Sequence, residues 1–276
     1  MKVKVKKEKL KIKVPPYPNF EISENAHQRD VVEGSIQANK DDTVPNKIIM
    51  VVEFKTGEKK VIRARPVKYQ NNTFISVFPN PIHIFLSTSI EQYNYSQSIK
   101  ETSFLKYGKQ VGSNTYLLDF LVNETNSCYN DYIKYRVSSI ILLVSSLEAF
   151  LNHIISNDFI YRTIRNGEDK LFSKEDIEST KISFSEKMIN VIPQWLNQPN
   201  FWDEKNDIKE TLLLLYKNRK NIIHLKTNTQ NDFERYFDSI NEMLELDIFS
   251  SINSSIDFMN LVSKNFVEFD TVTKLI

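Results

Sequence analysis

Arg219 and His224 stand five positions apart, near the end of a stretch that opens on Leu212-Leu213-Leu214-Leu215. The apolar positions Leu212, Leu215, Ile222 and Ile223 recur at helical spacing, so the stretch predicts a helix over 207–225. Arg219 falls on that stripe, where an apolar residue belongs. A guanidinium keeps its charge on burial and therefore needs a carboxylate or a phosphate beside it. The complementary anomaly is Glu148, which interrupts the stripe of Ile141, Val144, Leu151 and Ile155 on an earlier segment. Two lone charges of opposite sign on two apolar stripes are expected to be partners, or members of one polar site. His224 adds a group that titrates near neutral pH and can accept or donate a proton.

The elements that must position these residues follow from patterning. Residues 131–159 predict a long amphipathic helix, apolar at Ile133, Val137, Ile140, Val144, Leu147, Leu151 and Ile155. Further helices are expected over 183–196, 231–249 and 252–266. A shorter helical region is expected from Thr115, with Asn114 as its cap. Upstream the pattern changes to β. Residues 47–54 and 60–65 predict a hairpin around Thr56-Gly57-Glu58, with further strands at 73–78, 82–86 and, within a polar loop, 31–36. At the start, seven lysines alternate with apolar residues between Lys2 and Lys13, which reads as a lysine-studded edge strand or as a basic arm that contacts phosphates. The expected organisation is α+β. A small N-terminal β-sandwich or barrel over 1–95 leads through a linker at 96–114 into a helical bundle over 115–276.

Composition narrows the chemistry. The 36 basic and 35 acidic residues leave a net charge of +1, so any nucleic-acid site must be a local cluster. Cys128 is the single cysteine, which excludes an internal disulfide and a cysteine zinc site. There is no His-x-x-x-His pair, and no metal or cofactor is expected. The five glycines, Gly34, Gly57, Gly108, Gly112 and Gly167, form no phosphate loop or dinucleotide fingerprint. The longest apolar run, Ile140 to Val144, is far shorter than a bilayer span of about 20 residues, so no membrane association is expected and a cytoplasmic location is.

The Arg219-Lys220-Asn221-Ile222-Ile223-His224 segment, the preceding leucine run, the Leu147-Glu148-Ala149-Phe150-Leu151-Asn152 segment and the intervening stretch from Ser183 to Met188 together resemble the HEPN (higher eukaryotes and prokaryotes nucleotide-binding) family of RNA-cleaving or RNA-binding domains. The resemblance covers residues 115–270. It implies a helical bundle and a metal-independent endoribonuclease. Arg219 would hold the phosphate, and His224 would move a proton as the ribose 2′-hydroxyl attacks it, chemistry that only RNA supports. Glu148, Asn152, Tyr216, Lys220 and Asn221 would support the site. Lys220 is a departure, because active members often carry Asn, Asp or His after the arginine. On a regular helix, five positions leave Arg219 and His224 about 140° apart in direction and ~7.5 Å apart along the axis. Either the helix is distorted near Asn221 or the cleft is assembled from two copies. The family commonly pairs this way, so a homodimer is expected. The family's use in toxin–antitoxin and antiviral defence systems implies RNA, and an antitoxin or defence protein, as partners. The alternatives are a non-catalytic RNA-binding or dimerisation module with the β domain as sensor, and a structural arginine neutralised by Glu148 with His224 merely at a helix end. Tyr216 suits either base stacking or the edge of the core, and His153 is a surface histidine of the same helix as Glu148.

Overall fold

The computed structural model describes residues 8–12, 48–53, 59–77, 80–103, 107–118, 123–223 and 232–271. The chain divides into two compact units, Val14–Asn80 on one hand and Met1–Lys13 with Pro81–Ile276 on the other. Helices and short antiparallel strands combine in a mixed α+β fold.

Strand β1 (Glu8–Ile12) belongs to the larger unit, because it pairs antiparallel with the last strand, β9 (Val267–Thr271). The smaller unit contains a β meander, β2 (Ile48–Glu53), β3 (Lys59–Tyr69) and β4 (Asn72–Val77), in sheet order β2-β3-β4. The strands expected at 47–54, 60–65 and 73–78 correspond to these three. A two-residue turn joins β3 to β4, with Gln70 at φ 52°. The strand expected at 31–36 and the turn at Thr56-Gly57-Glu58 lie outside the described residues.

The strand expected at 82–86 is instead the first turn of a 23-residue helix, α1 (Pro81–Ser103). Pro81 suits a helix start, where its missing N–H has no intrahelical acceptor to serve. The first β region of the sequence therefore stops before residue 81, and the stretch expected as a linker at 96–114 is helical only as far as Ser103, with a strand over Tyr107–Gln110. A short hairpin, β5 (Tyr107–Gln110) with β6 (Tyr116–Leu118), then replaces the helix expected from Thr115.

Helix α2 (Asn123–Ile154) is the centre of the larger unit, starting and ending earlier than its apolar pattern predicts. Leu143, Val144, Leu147, Phe150 and Leu151 have no exposure at all. The stretch Ser127–Ile154 is long and apolar enough to cross a membrane by composition, and here it is the core helix. Helix α1 packs antiparallel along it, with Ser89 Oγ donating to the Ser139 carbonyl at 2.8 Å and Ser139 Oγ donating back to that of Ser89 at 2.9 Å.

A second hairpin, β7 (Tyr161–Arg165) and β8 (Glu168–Phe172), turns at Asn166-Gly167, both in the left-handed region. Short helix α3 (Lys174–Glu178) follows, closed by a Ser173–Asp176 capping box. The helix expected at 183–196 is a continuous right-handed element in three parts: α4 (Phe184–Glu186), a π segment (Lys187–Val191) and α5 (Ile192–Trp195). Pro193 explains the π segment. It has no N–H to donate and its ring crowds the carbonyl four residues back, so the turn widens. The Ile192 N–H bonds Lys187, five residues back, and the orphaned Met188 carbonyl accepts from the Trp202 indole at 3.2 Å.

The bundle closes with α6 (Asn206–Ile223), α7 (Asp232–Glu245) and α8 (Ile248–Val262). Phe150 meets Phe258 and Phe266 edge-on at centroid distances of 6.0 and 4.8 Å, and Trp202 stacks on Phe258 at 5.6 Å. Asp247 caps α8, accepting from the Ser250 N–H at 3.0 Å. That bond, then the Ser250 hydroxyl, holds its carboxyl below the ordinary value of 3.8. A depressed carboxyl stabilises the fold fully above its unfolded pKa and ceases to do so as pH falls through the folded one. Asp247→Ala is expected to cost about 1 kcal/mol in urea unfolding at pH 7. The gap between variant and wild type should close as pH drops below 3.8. A gap that persists undiminished into acid would rule the cap out as its source.

Candidate functional site

Glu148 and Asn152 lie one turn apart on α2 and so share a face. Opposite them stand Lys187, on the π segment, and Arg219, on α6. Arg219 Nη2 comes within 4.0 Å of Glu148 Oε2, with side-chain exposures of 22% and 36%. The two charges singled out by their positions on apolar stripes do meet, in a half-buried setting open to solvent. The contact is loose, since a tight guanidinium–carboxylate bond runs at about 2.7–2.9 Å. Arg219 Nε is buried and has no hydrogen-bond partner among the described residues.

The apolar stripe of α6 runs differently from its sequence pattern. Leu212 and Leu215 are fully buried, as expected, but the next buried position is Asn218, while Ile223 is exposed. Asn218 donates from Nδ2 to the Leu214 carbonyl at 3.0 Å, and its Oδ1 is buried without a partner. The helix therefore presents two polar residues, Asn218 and Arg219, towards the packed side.

Lys187 is the residue that sequence reasoning passed over. It is only 6% exposed, and its Nζ donates to Asn152 Oδ1 at 3.0 Å. Burial pushes its ammonium below the ordinary lysine range, against the smaller opposing pulls of Glu148 and then Glu178. A signal was present. Lys187 lies three positions after Phe184 and one before Met188, on the face that buries both. It is a charge on an apolar stripe, just like Arg219.

The remaining candidates scatter. The ring of Tyr216 is stacked on Phe184 at 4.6 Å, at the edge of the core, so one face is already covered. Asn221 donates to Glu242 Oε2 at 3.0 Å, and Lys217 donates to the other oxygen of the same carboxylate. Both therefore tie α6 to α7 rather than joining Arg219. Lys220 is exposed. His153 is exposed on α2, its imidazole held below its ordinary value by partial desolvation and then by Lys174. His224 lies outside the described residues.

Comparison of the chain with protein-family models, with curated proteins and with solved structures finds no match. The chemistry of the cluster has to be argued from its own geometry. One carboxylate faces two cations and a carboxamide, and it bonds neither cation tightly. The two cations have more hydrogen-bond donors than the described residues accept, so the cluster can take an oxyanion.

Reversing the charge at Glu148 tests the pairing. Glu148→Lys would gather three cations around Asn152, and is expected to lower stability by about 1 kcal/mol, the scale of a half-exposed pair. Thermal denaturation at low and high salt reads the effect, which should shrink as salt screens it. A melting curve unmoved at low salt would remove the electrostatic link between the two helices.

Proposed function

We propose that the larger unit is a HEPN-like RNA-processing domain and that the chain is a metal-independent endoribonuclease. In this reading Arg219 holds the scissile phosphate. His224 moves a proton as the 2′-hydroxyl oxygen bonds to phosphorus and the bond to the 5′ oxygen breaks. The products are a 2′,3′-cyclic phosphate on one fragment and a free 5′-hydroxyl on the other, and the proton leaving the 2′-hydroxyl balances the one gained by the 5′ oxygen.

One contrast carries the reading. Arg136 is a buried arginine whose two Nη atoms donate to three main-chain carbonyls and the Tyr132 hydroxyl, although its Nε has no partner among the described residues. Arg219 shares the unpartnered Nε, but its Nη atoms have only one long contact among the described residues, to Glu148 Oε2 at 4.0 Å. A structural arginine resembles the first. An arginine that awaits a phosphate resembles the second, with donors left over for two oxygens.

The domain would act as a homodimer with two Arg219–His224 pairs facing each other. Its setting would be a toxin–antitoxin or antiviral defence system with an antitoxin or defence partner, and the β unit would serve as its sensor. Lys220 favours a second reading. An exposed lysine beside Arg219 adds phosphate affinity without adding a proton-transfer group, as suits a module that holds RNA and leaves it intact. Incubating the full-length chain with RNA in EDTA separates the two. Fragments ending in cyclic phosphate support the nuclease, whereas salt-sensitive binding without cleavage supports the second reading.

A further inference from the structure

The expensive feature of this site is Lys187. An ammonium carries three donors, and this one, on a residue only 6% exposed, has one neutral amide acceptor among the described residues, Asn152 Oδ1. A charge drawn out of water with so few acceptors is destabilising unless an anion compensates it. The neighbouring Arg219 is also under-satisfied, with Nε unpartnered and Nη2 4.0 Å from the nearest carboxylate oxygen. Of the two carboxylates that act on Lys187, Glu148 and then Glu178, the first also faces Arg219, is about a third exposed (36%) and forms no short bond to either cation among the described residues. Three elements thus bring two under-satisfied cations to one face of α2, beside a half-exposed carboxylate.

We propose that Lys187 and Arg219 form a two-cation seat for one phosphate group, and that Glu148 is the internal anion that competes for that seat and is displaced when phosphate binds. The inference rests on the reading of Arg219 as a phosphate-holding residue, and it adds a second binding residue and a built-in competitor. Tetrahedral phosphate suits the seat better than a carboxylate. It offers oxygens to the guanidinium fork and, on another vertex, to the lysine point charge. Glu148 can swing out to solvent by side-chain rotation alone, since it has no hydrogen bond holding it inward. Asn152 keeps Lys187 aimed at the seat. An RNA backbone group and free phosphate present the same oxygens to the seat, and the two arms of the test distinguish them.

The test is a titration of the full-length chain, by calorimetry, with inorganic phosphate in one arm and a 2′-O-methyl RNA oligonucleotide, which cannot be cleaved through the 2′-oxygen, in the other. Four proteins are compared: wild type, Glu148→Gln, Lys187→Met and the double variant. Glu148→Gln is expected to tighten binding by about tenfold and Lys187→Met to weaken it by about tenfold. In the double variant, the gain from Glu148→Gln should largely vanish, because the competing carboxylate has less to guard. Circular dichroism confirms that Lys187→Met stays folded, and Lys187→Arg, which keeps the charge, should recover part of the affinity. Tightening in both arms assigns the seat to the RNA backbone, and tightening with inorganic phosphate alone assigns it to a free phosphate effector. Unchanged or weaker binding in Glu148→Gln overturns the proposal. The nuclease reading fails separately: phosphate may respond as expected while RNA is never cut, or RNA may be cut while neither variant alters phosphate binding.

Discussion

Arg219→Ala is expected to slow RNA cleavage in EDTA by about 10²–10³-fold, the loss seen when one donor to a developing oxyanion is removed. The transition state concentrates negative charge on the non-bridging phosphate oxygens, and a guanidinium already in place meets it without reorganisation. The same substitution should barely move stability. Arg219 gives up one 4.0 Å contact with a half-exposed carboxylate, a contact worth at most about 1 kcal/mol. That combination, a large kinetic effect with a nearly unchanged urea midpoint, is what separates a phosphate-holding arginine from a structural one. His224→Ala is expected to cost about 10²–10⁴-fold, as for a positioned proton-transfer group. The measurement is the rate of appearance of cyclic-phosphate ends on a labelled RNA. Arg219→Ala protein that cleaves at the wild-type rate would remove the arginine from the chemistry.

Arg136→Met is expected to have the opposite profile, destabilising the fold by about 3–5 kcal/mol, the cost of breaking a buried charged network on one side. Its Nη2 donates to the carbonyls of Met243 at 2.8 Å, Leu244 at 3.2 Å and Leu246 at 2.7 Å, and its Nη1 meets the Tyr132 hydroxyl at 3.3 Å. Met243 and Leu244 belong to the last turn of α7 and Leu246 follows it. Carbonyls at a helix end have no intrahelical donor and make up its negative pole. One side chain of α2 thus closes α7 and fixes the corner from which α8 departs. Methionine fills comparable space but donates nothing, so the carbonyls are left dry in the interior. Arg136→Lys should recover only part of the loss, because a single ammonium cannot reproduce the planar fork. Equilibrium urea unfolding reads all three proteins. A Met variant within 1 kcal/mol of wild type would mean that water replaces the guanidinium at this corner.

The meeting of Glu148 and Arg219 was legible because each breaks an otherwise regular apolar stripe, and burial forces such charges to find each other. Lys187 was equally legible by that rule. Helix α1 was not, for a specific reason. Its inward positions Ile82, Leu86, Ser89, Tyr93 and Ser96 follow a seven-residue repeat, but two of the five are serines. The facing positions of α2 include Ser139 and Ser146, also fully buried. Small hydroxylated residues let the two backbones approach closely and bond across the seam, which hydrophobicity patterning registers as a polar linker. The β7–β8 hairpin did carry a signal, the Asn166-Gly167 pair, whose left-handed backbone suits a two-residue turn between twisted strands. The role of Arg136 could not be read at all. Its acceptors are main-chain carbonyls more than a hundred positions away, and a carbonyl has no residue type.

The pairing of β1 with β9 sets an order of events during synthesis. Ile12 pairs with Val267, so β1 leaves the ribosome about 250 residues before its partner is translated. The β2-β3-β4 meander, encoded between them, has all its strands much sooner. Throughout that interval β1 is an open strand edge, a template for pairing with other chains.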